Sequence, residues 1–425
     1  MSLIFIISLQ LKVKTNKNKM CMVDSLIPGS EQVVSFDHKG ICKKSNHSIT
    51  LTGAIAKVIP RIFTAAGINP IIMKEDNSAS FDQHNNVILH YQSQAHESDF
   101  NFSVPISQIP GYSAFTTKNN LAKNLNNYER QTGVKISPKS YFLPEQYKQL
   151  QADSHQYSGY YIVKPSRSSR GRSIYLTKNV TELQYVSDSV VQEYLHNPLL
   201  INGYKFDLRV YVLITSTSPL LAYVYPEGLV RFASQKYSNP SEENKNDLKT
   251  HLTNFAINSE NHQIAQLEGQ LGKWKISEFV SYLNQNNKTF GLNNNAQTVI
   301  QNKINYCIQN ALLACQNELS RFKQVQNAFG LYGADIIFDS ELNAKLLEIN
   351  LQPALGTSTP LDLDVKEKML VEQFNLVGIR IPATKSNASK QKLNVENKFN
   401  LQMMDEESRI GKWIRVLPES DVKMK

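Results

Sequence analysis

The chain has 425 residues, 41% of them hydrophobic and 20% charged. That length suggests two or three structural domains, and that composition supports a packed core and argues against global disorder. The formal net charge is +9 and sits mostly at the ends: residues 1–50 hold seven Lys against three acids, and residues 380–425 hold ten basic residues against six acidic ones.

Basic ends around a near-neutral body point to a polyanionic partner; solvated tails are the plainer alternative. No apolar run approaches the roughly 18 residues needed to cross a bilayer, so no membrane role is expected. No zinc-finger or basic-zipper pattern marks a nucleic-acid reader. The four cysteines, Cys21, Cys42, Cys307 and Cys315, form no CxxC pair. A zinc site or disulfide framework is therefore not expected, and a reducing compartment fits.

The opening MSLIFIISLQLKVK lacks a basic leading region and a small-residue cleavage site, and reads as a buried strand rather than a secretory leader. Residues 1–110 mix short apolar runs with polar breaks. Residues 116–130 predict a helix, with Leu121 and Leu125 four apart, and a second helix is expected from Glu145. Then the pattern turns to strands: 160–166, 173–177, 189–195, 205–215 and 220–233, all rich in β-branched and aromatic residues. The Asn-rich stretches 239–247 and 284–296 read as surface loops. A helical period runs over 297–325. Residues 331–339 and 344–351 predict a β-hairpin, and 364–378 a closing helix. Strands and helices mixed without strict alternation give an α+β fold class.

Four groups of residues carry chemistry. Asp335, Glu348 and Asn350 come first. Glu348 and Asn350 are two apart in a strand and share a face, and Asp335 lies on the preceding strand of the hairpin. Oxygen ligands suit magnesium, although a solvent-facing hairpin is the alternative. Second, Lys164 ends a strand before the polar turn Ser168–Arg172, which holds Ser169, Arg170, Gly171 and Arg172. Such a turn can cover a triphosphate, or be an ordinary basic hairpin. Third, Lys205, Asp207 and Arg209 alternate with Phe206, Leu208 and Val210; their face is either a cleft wall or an ordinary outer surface. The stretch Gln192–Leu195 would then line the same cleft with its backbone. Fourth are Arg231, suited to a carboxylate, and the tetrad HLTN at 251–254.

Together these strings resemble the tubulin tyrosine ligase-like family, on its polyglutamylase side. The residues are YIVKPSRSSRGRSIYL, VVQEYLHNPLLINGYKFDLRVYVLITS, GLVRFASQKYS, HLTNFAIN, KWKISEF, LYGADIIFD, LLEINLQPALGTSTPLDLDVK and FNLVGI, in family order over about 110–380. The resemblance implies an ATP-grasp fold holding ATP between two α+β lobes. It implies residues 111–200 as the N-terminal and central lobes and 201–380 as the C-terminal lobe. Residues 1–110 are a separate N-terminal region, and 381–425 a basic extension that longer members carry further.

The resemblance also implies roles. ATP contacts are Lys164, Ser169, Arg170, Gly171, Arg172, Gln192, Glu193, Tyr194, Leu195, Lys205, Phe206, Asp207, Thr253 and Asn254. Asp335, Glu348 and Asn350 hold Mg2+, and Arg231 and Lys366 meet the incoming glutamate. Arg170, Arg231 and Glu348 are the catalytic set. The implied activity is a monomeric, ATP-dependent tubulin polyglutamylase joining free glutamate to acidic tubulin tails. It would act in the cytoplasm, at the cytoskeleton or at a cilium's axoneme or basal body.

Polyglutamylases of the family usually carry Tyr-Ser after the Asn of HLTN and a Lys a little further on. Here Phe255, Ala256 and Ser259 stand there. A donor such as glycine or tyrosine is one alternative, and a weakly active tubulin-binding protein that retains ATP is another. Lys273 and Lys366 are the basic candidates to compensate.

Overall fold

The computed structural model describes residues 22–23, 33–34, 36, 48–52, 55–73, 86–90, 107–166, 171–258, 272–292, 295–322, 328–379 and 395–418. The opening apolar stretch, Cys21, Cys42, Ser169, Arg170 and Ser259 lie outside them. The chain forms two compact units. One is Met1–Gln94, Phe102–Ser107 and Lys366–Lys412; the other is Ala95–Asn101, Gln108–Val365 and Trp413–Lys425.

In the first unit, β1 (Met22–Val23) pairs antiparallel with β2 (Val33–Val34). Strand β3 (Ser48–Thr52) lies between β4 (Asn69–Met73) and β5 (Asn86–His90), parallel to both. A parallel pair needs a crossover, and helix Val58–Ala65 supplies one between β3 and β4. It buries Val58, Ile59, Ile62 and Phe63, spaced to make one face. Phe63 packs against Phe36 and Phe374 with ring centroids 5.2 and 5.0 Å away. Strands this short carry too little periodicity to be read from residues 1–110 alone.

The second unit holds two sheets. The smaller has four antiparallel strands: β6 (Ser140–Leu143), β7 (Tyr161–Pro165), β8 (Tyr175–Thr177) and β9 (Ser189–Glu193), in the order β6-β9-β7-β8. Tyr141, Tyr161, Val163 and Val191 form a core with Leu150 of helix Tyr147–Ser154 on one face. The two-residue alternation turns Ile162, Lys164 and Gln192 to the other face.

The larger sheet is built on β11 (Tyr204–Thr217), a 14-residue strand preceded by the short β10 (Leu200–Ile201). One edge of β11 pairs first with β13 (Leu229–Lys236) and then with β12 (Leu220–Val224). Its other edge pairs with β15 (Gly330–Phe338). Strand β14 (Lys273–Lys275) extends the sheet beyond β13, β16 (Ala344–Asn350) beyond β15, and β17 (Ile414–Leu417) beyond β12.

Alternation gives this sheet two unlike faces. Phe206, Leu208, Val210, Val212 and Ile214 join the main core with Phe279 of helix Ile276–Gln285 and Ile300, Ile304 and Ile308 of helix Ala296–Ala314. The spacing of those isoleucines is what predicted the second helix. Cys307 and Cys315 are buried free thiols there, and burial pushes each up to about 12. Lys205, Asp207, Arg209 and Tyr211 turn the opposite way.

One expected loop is a correction. Residues 284–285 and 287–290 belong to helices Ile276–Gln285 and Asn287–Phe290 rather than to a loop. Asparagine favours loops only weakly, and the buried Phe279, Val280 and Leu283 hold the first of these helices in place.

Candidate active site

The polar face of the large sheet lines up charges across five strands. Lys273 lies across from Arg231, and Arg231 from Asp207. Two residues along β11, Arg209 lies across from Asp335, and Asp335 from Glu348. Gly333 faces Asn350. The hairpin carries a bulge here: Asp335 pairs with Glu348 but Ile336 with Leu346, which leaves Leu347 as the extra residue. Glu348 and Asn350 thus share a face with Asp335, as their spacing predicts.

These charges are densely paired. Arg231 grips Asp207 with two bonds, Nε to Oδ1 at 2.7 Å and Nη2 to Oδ2 at 2.6 Å. Nη2 also lies 2.9 Å from Asp335 Oδ2. Arg209 donates from Nε to Asp335 Oδ1 at 2.7 Å. Thr253 Oγ1 donates to Asp207 Oδ2 at 2.6 Å. Burial alone would raise the Asp335 carboxyl, but Arg209 and Arg231 outweigh it and hold it well below the usual carboxylate range. The same two aspartates hold the Arg231 guanidinium charged despite its burial.

Asn350 ties the hairpin groups together. Its Nδ2 lies 3.2 Å from Glu348 Oε1 and 3.5 Å from Asp335 Oδ2. Lys118 Nζ lies 3.9 Å from Glu348 Oε2. Among the described residues no three His, Cys, Asp or Glu side chains gather as a metal site. The donor set is instead two carboxylates and an amide, and a half-turn of that amide presents its oxygen. Three oxygen donors fit a hard cation that keeps phosphate oxygens in its remaining positions.

A cleft runs from this triad to the small sheet. Lys164, Gln192–Leu195, Lys205, Asp207, His251–Asn254, Asp335 and Glu348 line it, with Ile162, Ile174, Ile337 and Leu347 as its apolar wall. Lys164 Nζ donates to Gln192 Oε1 at 2.8 Å, and Gln192 Nε2 donates to Ser140 Oγ at 2.9 Å. Lys205 Nζ donates to Tyr194 Oη at 2.8 Å and to the His251 carbonyl at 2.9 Å. At the far end of the polar turn, Gly171 has φ of +77° and no room for a Cβ beside Ile257 and Asn254. The turn therefore ends against the HLTN segment.

Burial pushes Lys164 down to about 8, a shift Lys118 adds to while Glu348 and Asp335 oppose it. Burial pushes Lys205 down to about 7, with Lys164 adding and Asp207 opposing. Both lysines thus carry a partial charge near neutrality, and a triphosphate would restore the full charge. Binding of a triphosphate there is expected to take up protons between about pH 7 and pH 9, and to weaken as pH rises through that range. Titration calorimetry in buffers of different ionisation enthalpy measures this; binding without proton uptake would rule it out.

Most of the expected ligand set converges on this cleft, and several residues stand elsewhere. The structure corrects Phe206. Its ring packs against Phe232 and Phe279 on the apolar face, so alternation along β11 removes it from the cleft. Lys273 is held by Asp362 at 2.9 Å. Lys366 is buried on helix Pro360–Val377 and belongs to the first unit. Phe255 and Ala256 open the short helix Phe255–Asn258. Ser140, Lys118 and Leu347 were not expected. His251 heads the HLTN string, which was its one visible signal.

Two sheets facing a cleft of lysines and carboxylates define an ATP-grasp-like α+β protein. The chain belongs to the tubulin-tyrosine ligase family, whose sequence model matches residues 96–389. It is 35% identical over 283 residues to tubulin polyglutamylase TTLL5 of Mus musculus, covering 64% of this chain and 21% of that protein. It is 32% identical over 348 residues to tubulin polyglutamylase TTLL13 of Homo sapiens, covering 74% of this chain and 42% of that protein. With tubulin polyglutamylase TTLL7 of Xenopus tropicalis it shares 31% over 313 residues, 69% of this chain and 34% of that protein. The chain therefore spans less than half the length of these curated relatives.

Proposed function

We propose that the chain is an ATP-dependent tubulin polyglutamylase. The similar proteins named above carry that name. The observation that carries the reading is one polar sheet face, with Lys205 at one end and Asp335 and Glu348 at the other, facing Lys164 across a cleft, and Asn350 beside them on β16. ATP lies in that cleft, with its adenine edge along the backbone of Gln192–Leu195 and its phosphates beside Lys164 and Lys205. Glu193, Tyr194, Leu195, Asp207, Thr253, Asn254, Gly171 and Arg172 complete its surroundings, with Ser169 and Arg170 from the polar turn.

A glutamate carboxylate of the tubulin tail attacks the terminal phosphorus of ATP. The bond to ADP breaks and an acyl phosphate forms. The free donor glutamate, once its amine has lost a proton, attacks the acyl carbon; an isopeptide bond forms and phosphate leaves. Lys164 and Lys205 hold the phosphates in line and neutralise their charge. Asp335, Glu348 and Asn350 would hold Mg2+, which supplies charge neutralisation to the transferring phosphoryl group. Arg231 uses Nε and Nη2 on protein carboxylates, which leaves Nη1 for the donor carboxylate. The enzyme works as a monomer with the microtubule cytoskeleton, that of a cilium included.

The test is incorporation of labelled glutamate into purified tubulin with ATP and magnesium, against labelled glycine and tyrosine. Glutamate alone should be incorporated. Glycine or tyrosine in its place would move the reading to another donor. Incorporation of none, with ATP and tubulin both bound, would move it to a binding protein.

Phe255, Ala256 and Ser259 bear on donor affinity. A charged hydrogen bond is worth roughly 1.5–3 kcal/mol. The triple variant Phe255→Tyr, Ala256→Ser, Ser259→Lys is expected to lower the KM for glutamate by about tenfold or more. An unchanged KM would show that these positions do not govern the donor.

A further inference from the structure

His251 is a buried part of the cleft wall, and its ring has no part in the ligand contacts derived above. Its ring is nevertheless wired to one of them. Nδ1 lies 3.1 Å from Tyr194 Oη, and Nε2 lies 3.2 Å from the Asn244 carbonyl. Tyr194 Oη in turn receives Lys205 Nζ at 2.8 Å, and the His251 carbonyl receives the same ammonium at 2.9 Å. The Lys205 ammonium also stands over the Tyr194 ring, 4.3 Å from its centroid.

Donor and acceptor chemistry fixes the direction of this chain. A carbonyl only accepts, so Nε2 carries the hydrogen. A charged Lys205 only donates, so the Tyr194 oxygen accepts from it. The phenol hydrogen has two acceptors within reach, Nδ1 with its lone pair and the Tyr237 hydroxyl, which also bonds Tyr194. The arrangement is self-consistent for neutral His251 with hydrogen on Nε2 and Lys205 as an ammonium. A second proton on His251 would turn Nδ1 into a donor aimed at the same phenol oxygen, and place two cations on either side of it.

We infer that His251 is a positioning residue which, through Tyr194, holds Lys205 charged and aimed at the nucleotide phosphates, and that protonating its ring loosens ATP. The inference rests on the nucleotide reading of the cleft. Several other groups face the ring. Tyr237 stacks edge-on with centroids 6.2 Å apart, and Asp247 acts on it by charge. Burial and then Lys205 lower the His251 pKa from 6.5, while the Asn244 carbonyl and Asp247 oppose them. The loss of ATP therefore belongs on the acid side of 6.5, opposite to the alkaline weakening expected from the lysines.

The test is ATP affinity, measured by titration with MgATP near neutral pH and again near pH 5.5, beside a melting curve for each variant. The wild type is expected to lose roughly tenfold in affinity on acidification. His251→Asn keeps an oxygen where Nδ1 stands and cannot take a proton, so its affinity should stay flat over the same range. Tyr194→Phe keeps the ring and removes the relay; it should lose roughly tenfold at neutral pH. A His251→Asn protein that keeps the full acid loss would overturn the inference, as would a Tyr194→Phe protein within about twofold of wild type. Wild-type protein that binds no ATP would instead overturn the nucleotide reading, and this inference with it.

Discussion

Glu348→Gln is expected to cut ATP-dependent ligation by roughly a hundredfold or more while the melting curve stays in place. The side chain is 27% exposed, its Asn350 partner can bond a glutamine oxygen equally well, and Lys118 is 3.9 Å away. Little of the fold depends on its charge. The chemistry does, on the reading above. With Glu348 ionised, the triad brings two negative charges to the end of the cleft where phosphoryl transfer takes place, and the glutamine removes one of them. A cation bound by three oxygens would then sit beside Arg209 and Arg231 with only Asp335 to balance it, and Asp335 already answers to both arginines. Labelled-glutamate incorporation, read beside thermal melting, decides it. A wild-type rate in a folded Glu348→Gln protein would remove the triad from catalysis.

The site was legible in the sequence because strand alternation is a strict rule. Glu348 and Asn350 are two apart and share a face; so do Lys205, Asp207 and Arg209. The hairpin that adds Asp335 has the signature of two apolar runs around a polar turn. Asp339 closes that turn by accepting from the backbone of Glu341 and Asn343 at 3.0 and 2.8 Å. Pairing across strands was not legible. Nothing in the order of residues says that Arg231 lies opposite Asp207 or Lys273, because those registers are set by strands far apart in sequence. That is why Arg231 could be read as an open carboxylate receptor when most of its fork is already engaged. Phe206 failed for the opposite reason. It stands in the same motif as its neighbours, although alternation along the strand turns it away from them. His251 was visible only as the head of the HLTN string, because nothing near it in sequence says that its ring meets Tyr194, 57 residues away.

The largest effect on stability is expected from Arg231→Met. Arg209, Arg231, Asp207 and Asp335 form a buried cluster of two cations and two anions. The Arg231 side chain is 11% exposed, and those of its two partners 4% and 5%. Deleting one cation leaves a net negative charge where water cannot reach it. Removing one partner of a buried pair costs about 3–5 kcal/mol, more than an apolar truncation at the same place would explain. Two further measurements separate charge from packing. The first is pH. Asp335 has its carboxyl held far below the ordinary value, so its share of the wild-type stability is present above about pH 4 and fades as pH falls further. Without Arg231 the same carboxyl gains a proton more easily and sheds its penalty. The stability gap between wild type and variant should therefore be widest near neutrality and narrow on acidification. The second is the double variant Arg231→Met with Asp207→Leu, which removes one charge of each sign. Apolar replacement of a whole buried pair is often neutral, so the double variant should melt above the single one. A gap that stays constant with pH, together with a double variant less stable than the single, would mean that Arg231 acts through packing and that the charge cluster contributes nothing of its own.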